Sequence, residues 1–113
     1  MRTDDLIRLR HMLEAAREAM QCAEGKSLGD LDEDRLLSLA LVRLVEIVGE
    51  AAAHVSEEGR SRIPGVPWLD IIGMRNRLVH AYFDIDMEIV WLTVVKFLPA
   101  LVNSLKAVLD EGE

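Results

Sequence analysis

Cysteine occurs once in this chain, at Cys22, so no disulfide can close within it and a reducing compartment is expected. Aromatic residues are almost as scarce: two tryptophans, one tyrosine and two phenylalanines make 4%, although 50% of the residues are hydrophobic. Leucine, valine, isoleucine, alanine and methionine must therefore fill the core, which favours helices packed on helices over a sheet sandwich. No His/Cys cluster has metal-ligand spacing, so no metal site is predicted. The longest apolar stretches are interrupted by Arg43, Glu46, Lys96 and Asn103, so no membrane span is predicted either. The opening residues are charged, which predicts no signal peptide and a cytoplasmic chain. Bases are the minority, 13 against 20 acids, and the net charge of −7 speaks against broad, non-specific binding of long nucleic acid. It leaves room for a local phosphate site. Repeats and low-complexity tracts are missing, and one domain over residues 1–113 is expected.

What the chain does have is helical periodicity. Leu6, Leu9, Leu13, Ala16, Met20 and Ala23 recur at three and four residues, predicting a helix from Thr3 to Glu24 with one buried face. Thr3 is the expected N-cap, with Asp4 and Asp5 at the positive end of the dipole. Gly25 ends it, and 25–30 reads as a loop. A second helix is predicted from Glu33, capped by Asp32, to Val55. Between Leu36 and Val48 only Ser38, Arg43 and Glu46 are polar, so this helix needs cover on more than one side, and a second subunit is expected to supply part of it. Arg43, Glu46 and Glu50 fall on one stripe. They read either as a solvated, ion-paired edge or as the lining of the cleft that holds the basic stretch around Arg75. Residues 56–67 read as a linker, with Pro67 in the first turn of a short third helix carrying Trp68, Ile71, Ile72, Leu78 and Val79. A fourth helix starts after the N-cap Asp86 and runs to about Leu109, kinked by Pro99. The predicted architecture is all-α, an up-and-down bundle of four helices with the third one short.

One stretch carries chemistry. Residues 60–80 hold four arginines, Arg60, Arg62, Arg75 and Arg77, against the single acid Asp70, a local charge of +3. Asn76 and His80 are four apart and share a face of helix three. Arg75 precedes His80 by five positions, roughly 140° around the helix and about 7.5 Å along it. Arginine offers a forked donor for phosphate oxygens, and histidine moves a proton near neutral pH. Together they suit attack of an RNA 2′-hydroxyl on the adjacent phosphate without a metal. The plainer alternative is a helix end at which His80 caps carbonyls and the arginines solvate the surface. His11 and His54 read as surface or capping residues, and Glu50 and His54 as an i,i+4 pair. Cys22 has no neighbouring base and reads as inert. Trp68 and Trp91 read as core or interface anchors, and the acidic tail Asp110-Glu111-Gly112-Glu113 as frayed.

The pattern Arg75-x-x-x-x-His80-x-Tyr82 resembles the signature of HEPN-domain toxins of the HepT type. Its flanks are similar in order and spacing: Ile47-Val48-Gly49-Glu50-Ala51-Ala52, Ile63 to Trp68, Ile71 to Asn76, Ile85-Asp86 and Ile89-Val90-Trp91. The resemblance covers roughly Leu36 to Leu105. It implies a HEPN-like helical homodimer and a metal-independent endoribonuclease that needs no cofactor. It also implies a partner, a cognate minimal nucleotidyltransferase antitoxin that can transfer AMP to the motif tyrosine, here Tyr82. On that resemblance Arg75 stabilises the reacting phosphate and His80 transfers protons. Asn76 orients His80 or contacts the phosphate, and Arg77 binds the RNA backbone. A two-fold dimer would bring two motif histidines together, one as base and one as acid. The alternative is a non-catalytic HEPN subunit that presents Tyr82 to the nucleotidyltransferase.

Overall fold

In the computed structural model, which describes residues 1–80 and 84–112, α1 spans Thr3–Ala23. Thr3 lies inside it rather than at the expected cap. Arg2 occupies the N-cap without a side-chain hydrogen bond, and the acids Asp4 and Asp5 sit in the first turn. Asp5 has turned inward instead of facing solvent. It is 2% exposed, and its carboxylate accepts from Ser56 N at 2.8 Å and from Ser56 Oγ at 2.6 Å. Gly25, with φ +74, ends α1 in the left-handed region where a side chain would strain the backbone.

The expected loop at 25–30 and the expected start of the second helix both need correction. Leu28–Glu33 forms a short helix, α2, in which the Asp30 carboxylate accepts from Ser27 N at 2.8 Å. The next helix, α3, is Arg35–Ala53, and its N-cap is Asp34, not Asp32: Asp34 Oδ1 accepts from Leu37 N at 3.1 Å. The cause is tertiary. Leu31 is buried, and Ser38 Oγ donates to its carbonyl at 2.6 Å, so the chain uses 28–33 as a turn of its own before α3 begins. The expected linker also contains a one-turn helix, α4 (Glu57–Ser61), capped by Ser56 Oγ, which accepts from Gly59 N at 3.0 Å.

α5 is Trp68–His80, with Pro67 just ahead of its first residue rather than in its first turn. Trp68 is a core anchor. Its indole N–H is shared between the carbonyls of Arg60 and Ile63, each at 3.2 Å, which ties the linker to the start of α5. After Asp86, whose carboxylate accepts from Glu88 N, come α6 (Met87–Leu92), a π turn (Thr93–Phe97) and α7 (Leu98–Gly112). Leu98 N–H donates to Thr93 O, five residues back. Pro99 cannot donate and its ring crowds the carbonyl four residues earlier, so its effect is a widened turn just before it. The continuous helix 87–110 is, by length and composition alone, long and apolar enough to cross a membrane, contrary to the expectation from its two polar interruptions. Val90, Val94, Leu98, Leu101, Leu105 and Leu109 form its buried stripe, and α7 and the π turn pack on α1.

The expected all-α bundle stands, with α5 the shortest of its four long segments. α3 is central. α1 packs on one side of it and α5 on another, which covers most of its apolar surface within one chain. Leu36 and Leu39 remain outside that cover, 79% and 51% exposed.

Asp5 links pH to stability. Burial pushes its carboxyl pKa up, but the Ser56 hydrogen bonds, with Arg2 and the amino terminus nearby, more than offset this and hold it below the ordinary value. A carboxyl depressed in the folded state stabilises the fold fully above its unfolded pKa of about 3.9 and loses that contribution as pH falls through the folded value. Asp5→Asn is therefore expected to cost about 1.5–3 kcal/mol near neutrality, the worth of hydrogen bonds to a charged group. It is also expected to flatten the loss of stability below about pH 4. Thermal melts across that range decide it, and equal acid slopes in the two proteins would show that another carboxyl carries the effect.

Candidate active site

The structure divides the four-arginine island in two. Arg60 Nη2 reaches the carbonyls of Ala52 and Ala53 at 3.4 and 3.2 Å and so caps the end of α3. Arg62 pairs with Glu58 at 4.0 Å. Both serve the linker. Arg75 and Arg77 remain on α5 with Asn76 and His80.

α5 presents two faces. Ile71 and Leu78 are buried against α3, and the stem of Arg75 lies on the same side. Asn76 and His80 are exposed on the opposite side, in line with Gly73 and with Leu69, which is 79% exposed. At about 100° per residue, Asn76 stands some 100° round from Arg75 but only about 40° from His80. Arg75 Nη1 donates to Asn76 Oδ1 at 2.8 Å. A guanidinium only donates, so this bond fixes which way the amide faces. Asn76 thus draws a guanidinium rooted on the inner face round to the face that carries His80. The sequence had paired Asn76 with His80 or with phosphate. The structure shows its oxygen engaged by Arg75, with the amide N–H₂ left to donate.

Arg75 is held just as closely at its base. A Cβ added at Gly49 of α3 would lie 2.2 Å from Arg75 Cβ, 3.0 Å from its Cγ and 3.0 Å from Ile71 O. The two helices therefore make a very close approach at this arginine. Arg75 Nε is buried, with no hydrogen-bond partner among the described residues. Gly49 is the site residue that sequence reasoning used only as part of a family resemblance. A signal existed: a glycine inside a helix costs about 1 kcal/mol relative to alanine, so its presence asks for a packing reason.

His80 is the last described residue of α5, and its imidazole makes no hydrogen bond to another described residue. The carbonyl-capping alternative thus has no described bond behind it. Arg77 is exposed and borders a groove of about 210 Å³ with Met74, Ile85 and the carboxylates of Asp84 and Asp86. Tyr82 lies outside the described residues.

Arg43, Glu46 and Glu50 form an ion-paired edge, Arg43 Nη1 standing 3.5 Å from Glu46 and 3.9 Å from Glu50. Arg43 and Glu50 also line a groove of about 290 Å³ between α1 and α3, with Arg8, His11 and His54. The two histidines are 43 positions apart, so sequence gave no hint that they share it. The expected Glu50–His54 pair runs through the backbone: His54 Nδ1 donates to the Glu50 carbonyl at 2.8 Å. Among the described residues no three His, Cys, Asp or Glu side chains converge as a metal site would require. What α5 gathers is a donor set for phosphate oxygens, namely the free part of the Arg75 fork, Arg77 and the Asn76 amide, beside one exposed imidazole.

Residues 12–108 match a family described as ribonuclease HepT-like. The chain is 36% identical over 103 residues to a protein of Caldanaerobacter subterraneus subsp. tengcongensis that carries a provisional RNase name, a match covering 91% of this chain and 92% of that one. It is 29% identical over 97 residues to a provisionally named RNase of Methanocaldococcus jannaschii, covering 86% and 89%. Over 68 residues it is 35% identical to a Thermococcus cleftensis protein named probable ribonuclease HepT, covering 60% and 62%. No solved structure matches the chain.

Proposed function

Because the chain belongs to the HepT-like ribonuclease family, we propose that it is a metal-independent endoribonuclease, the toxin of a toxin–antitoxin pair. The observation that carries this reading is the Arg75–Asn76 hydrogen bond, which brings a phosphate-binding fork to the face of α5 that carries His80. Arg75 and Arg77 bind the nonbridging oxygens of an RNA phosphate and stabilise the charge that builds on them in the transition state. One imidazole removes the proton of the 2′-hydroxyl, whose oxygen attacks the phosphorus. A second imidazole gives a proton to the departing 5′-oxygen. The products are a 2′,3′-cyclic phosphate and a 5′-hydroxyl end. Each chain brings one motif histidine, so the active unit is a homodimer with two copies of α5 apposed. Exposed Leu69, Leu36 and Leu39 supply apolar surface for such an interface. The protein works in the cytoplasm, and its antitoxin is a minimal nucleotidyltransferase that places AMP on Tyr82. That anion would pair with Arg75 and Arg77 and occupy the phosphate position. In protein co-expressed with the antitoxin, an adenylyl mass increment on Tyr82 reads this step directly.

The assay for the reading is cleavage of a defined RNA in excess EDTA. Activity is expected to survive chelation, with cyclic phosphate at the new 3′ ends, because the chemistry runs on guanidinium and imidazole alone. Activity lost in EDTA and restored by Mg²⁺ would defeat this mechanism. No cleavage under any condition would leave the non-catalytic HEPN subunit.

A further inference from the structure

We propose that Gly49 is a positioning residue for Arg75: its missing side chain is the seat on which the arginine stem rests, and it sets where the guanidinium stands. This rests on the reading of Arg75 given above. Gly49 lies within α3, four residues before its last residue, and has no positive φ, so neither capping nor backbone freedom explains a glycine there. Space does. The Cβ it lacks would sit 2.2 Å from Arg75 Cβ, where carbon atoms ordinarily approach to about 3.5–4.0 Å. The next atoms it would meet are Arg75 Cγ and the backbone oxygen of Ile71, both at 3.0 Å. None of these is the free end of a flexible chain. A methyl group at position 49 can be accommodated only by moving α5 away from α3.

The other end of the same side chain is fixed separately, by Nη1 on Asn76 at 2.8 Å. Arg75 is thus pinned at Cβ by Gly49 and at its tip by Asn76, with Nε buried between. Its position depends directly on the α3–α5 spacing. Gly49 is the one described glycine whose Cβ would meet a motif side chain: Gly25, Gly65 and Gly73 have open space, Gly29 meets only Ser27, and Gly59 meets Asp5 and Val55. Gly59 therefore supplies a matched control, since its added Cβ would fall 2.7 Å from Asp5 Oδ2, outside the RNA site.

The test compares Gly49→Ala and Gly59→Ala in the full chain. Both are expected to lower the melting temperature. Well below both melting points, Gly49→Ala is expected to lose on the order of tenfold in kcat, the effect of a small misplacement, with KM and the shape of the pH profile little changed. Gly59→Ala is expected to keep wild-type kcat. The ¹⁵N-resolved Nε–H signal of Arg75 is expected to shift or exchange faster in Gly49→Ala only. A folded Gly49→Ala with wild-type kcat and an unmoved Nε–H signal overturns the proposal, as does an equal loss of kcat in Gly59→Ala. If Gly49→Ala alone does not fold, the double variant Gly49→Ala/Arg75→Gly, which frees the space on the other helix, is expected to fold; its failure to do so also overturns the proposal. If the wild-type chain cleaves no RNA, the ribonuclease reading fails, and the Nε–H comparison still decides whether Gly49 seats Arg75.

Discussion

His80→Ala is expected to lower RNA cleavage by on the order of 10²–10⁴-fold, the usual contribution of a positioned proton-transfer group. Stability should stay within about 0.5 kcal/mol of wild type, because the imidazole is exposed and bonded to no described residue. That separation makes the experiment clean. A large rate effect without a change in melting cannot be assigned to a damaged fold. His11 and His54 offer no substitute, since both line the groove between α1 and α3 and His54 Nδ1 is already committed to the Glu50 carbonyl. Single-turnover cleavage of one defined RNA, with circular dichroism melts of both proteins, is the measurement. Equal rates would remove His80 from the chemistry.

Arg75→Ala is expected to cost on the order of 10²–10³-fold, by analogy with removing one donor that stabilises charge in the transition state. Here stability should fall as well, because alanine keeps the Cβ beside Gly49 but loses the Cγ next to it and the rest of the packed stem. Arg75→Lys separates the two contributions. Lysine keeps a long stem on Gly49 but presents a point charge instead of a fork. It should recover most of the stability and little of the rate. Rates and melts of the three proteins side by side are decisive, and full activity in Arg75→Lys would mean that charge alone is needed at this position.

The parts of the fold legible in sequence were those written in local spacing. The stripe from Leu6 to Ala23, the cap at Asp86 and the anchoring Trp68 all appear where periodicity and cap chemistry put them. What sequence missed depended on contacts between distant residues. The start of α3 slipped to Arg35 because Ser38 binds back to the Leu31 carbonyl, while Asp32 and Asp34 are equally good caps on paper. Asp5 looked like a first-turn acid serving the dipole. Its partner is Ser56, 51 residues away. In the site, Arg75 and His80 were legible as chemistry but not as geometry. A spacing of five puts them on different faces, and only the hydrogen bond to Asn76 shows how the guanidinium is turned. Gly49 was visible as an oddity in an apolar helix, yet nothing local says which side chain requires it.

The π turn at 93–97 settles an arithmetic problem in the fourth long segment. From Val90 to Leu109 the buried stripe advances 109 − 90 = 19 positions in five steps, through Val94, Leu98, Leu101 and Leu105. An unbroken α-helix at about 100° per residue would turn roughly 1900° over that distance, about 100° beyond five full revolutions. The stripe would then leave α1 before its end. A π turn holds one extra residue per revolution, and one residue is about the excess. The widened turn ahead of Pro99 therefore acts as a phase correction: it lets a sequence with a mean repeat of 19/5 residues keep a straight seam along its neighbour. Deleting a single residue there would shorten the helix very little. It would leave about 1800° of turn, five full revolutions, between Val90 and Leu109, so a regular α-helix would then hold Leu101, Leu105 and Leu109 in the register they have now.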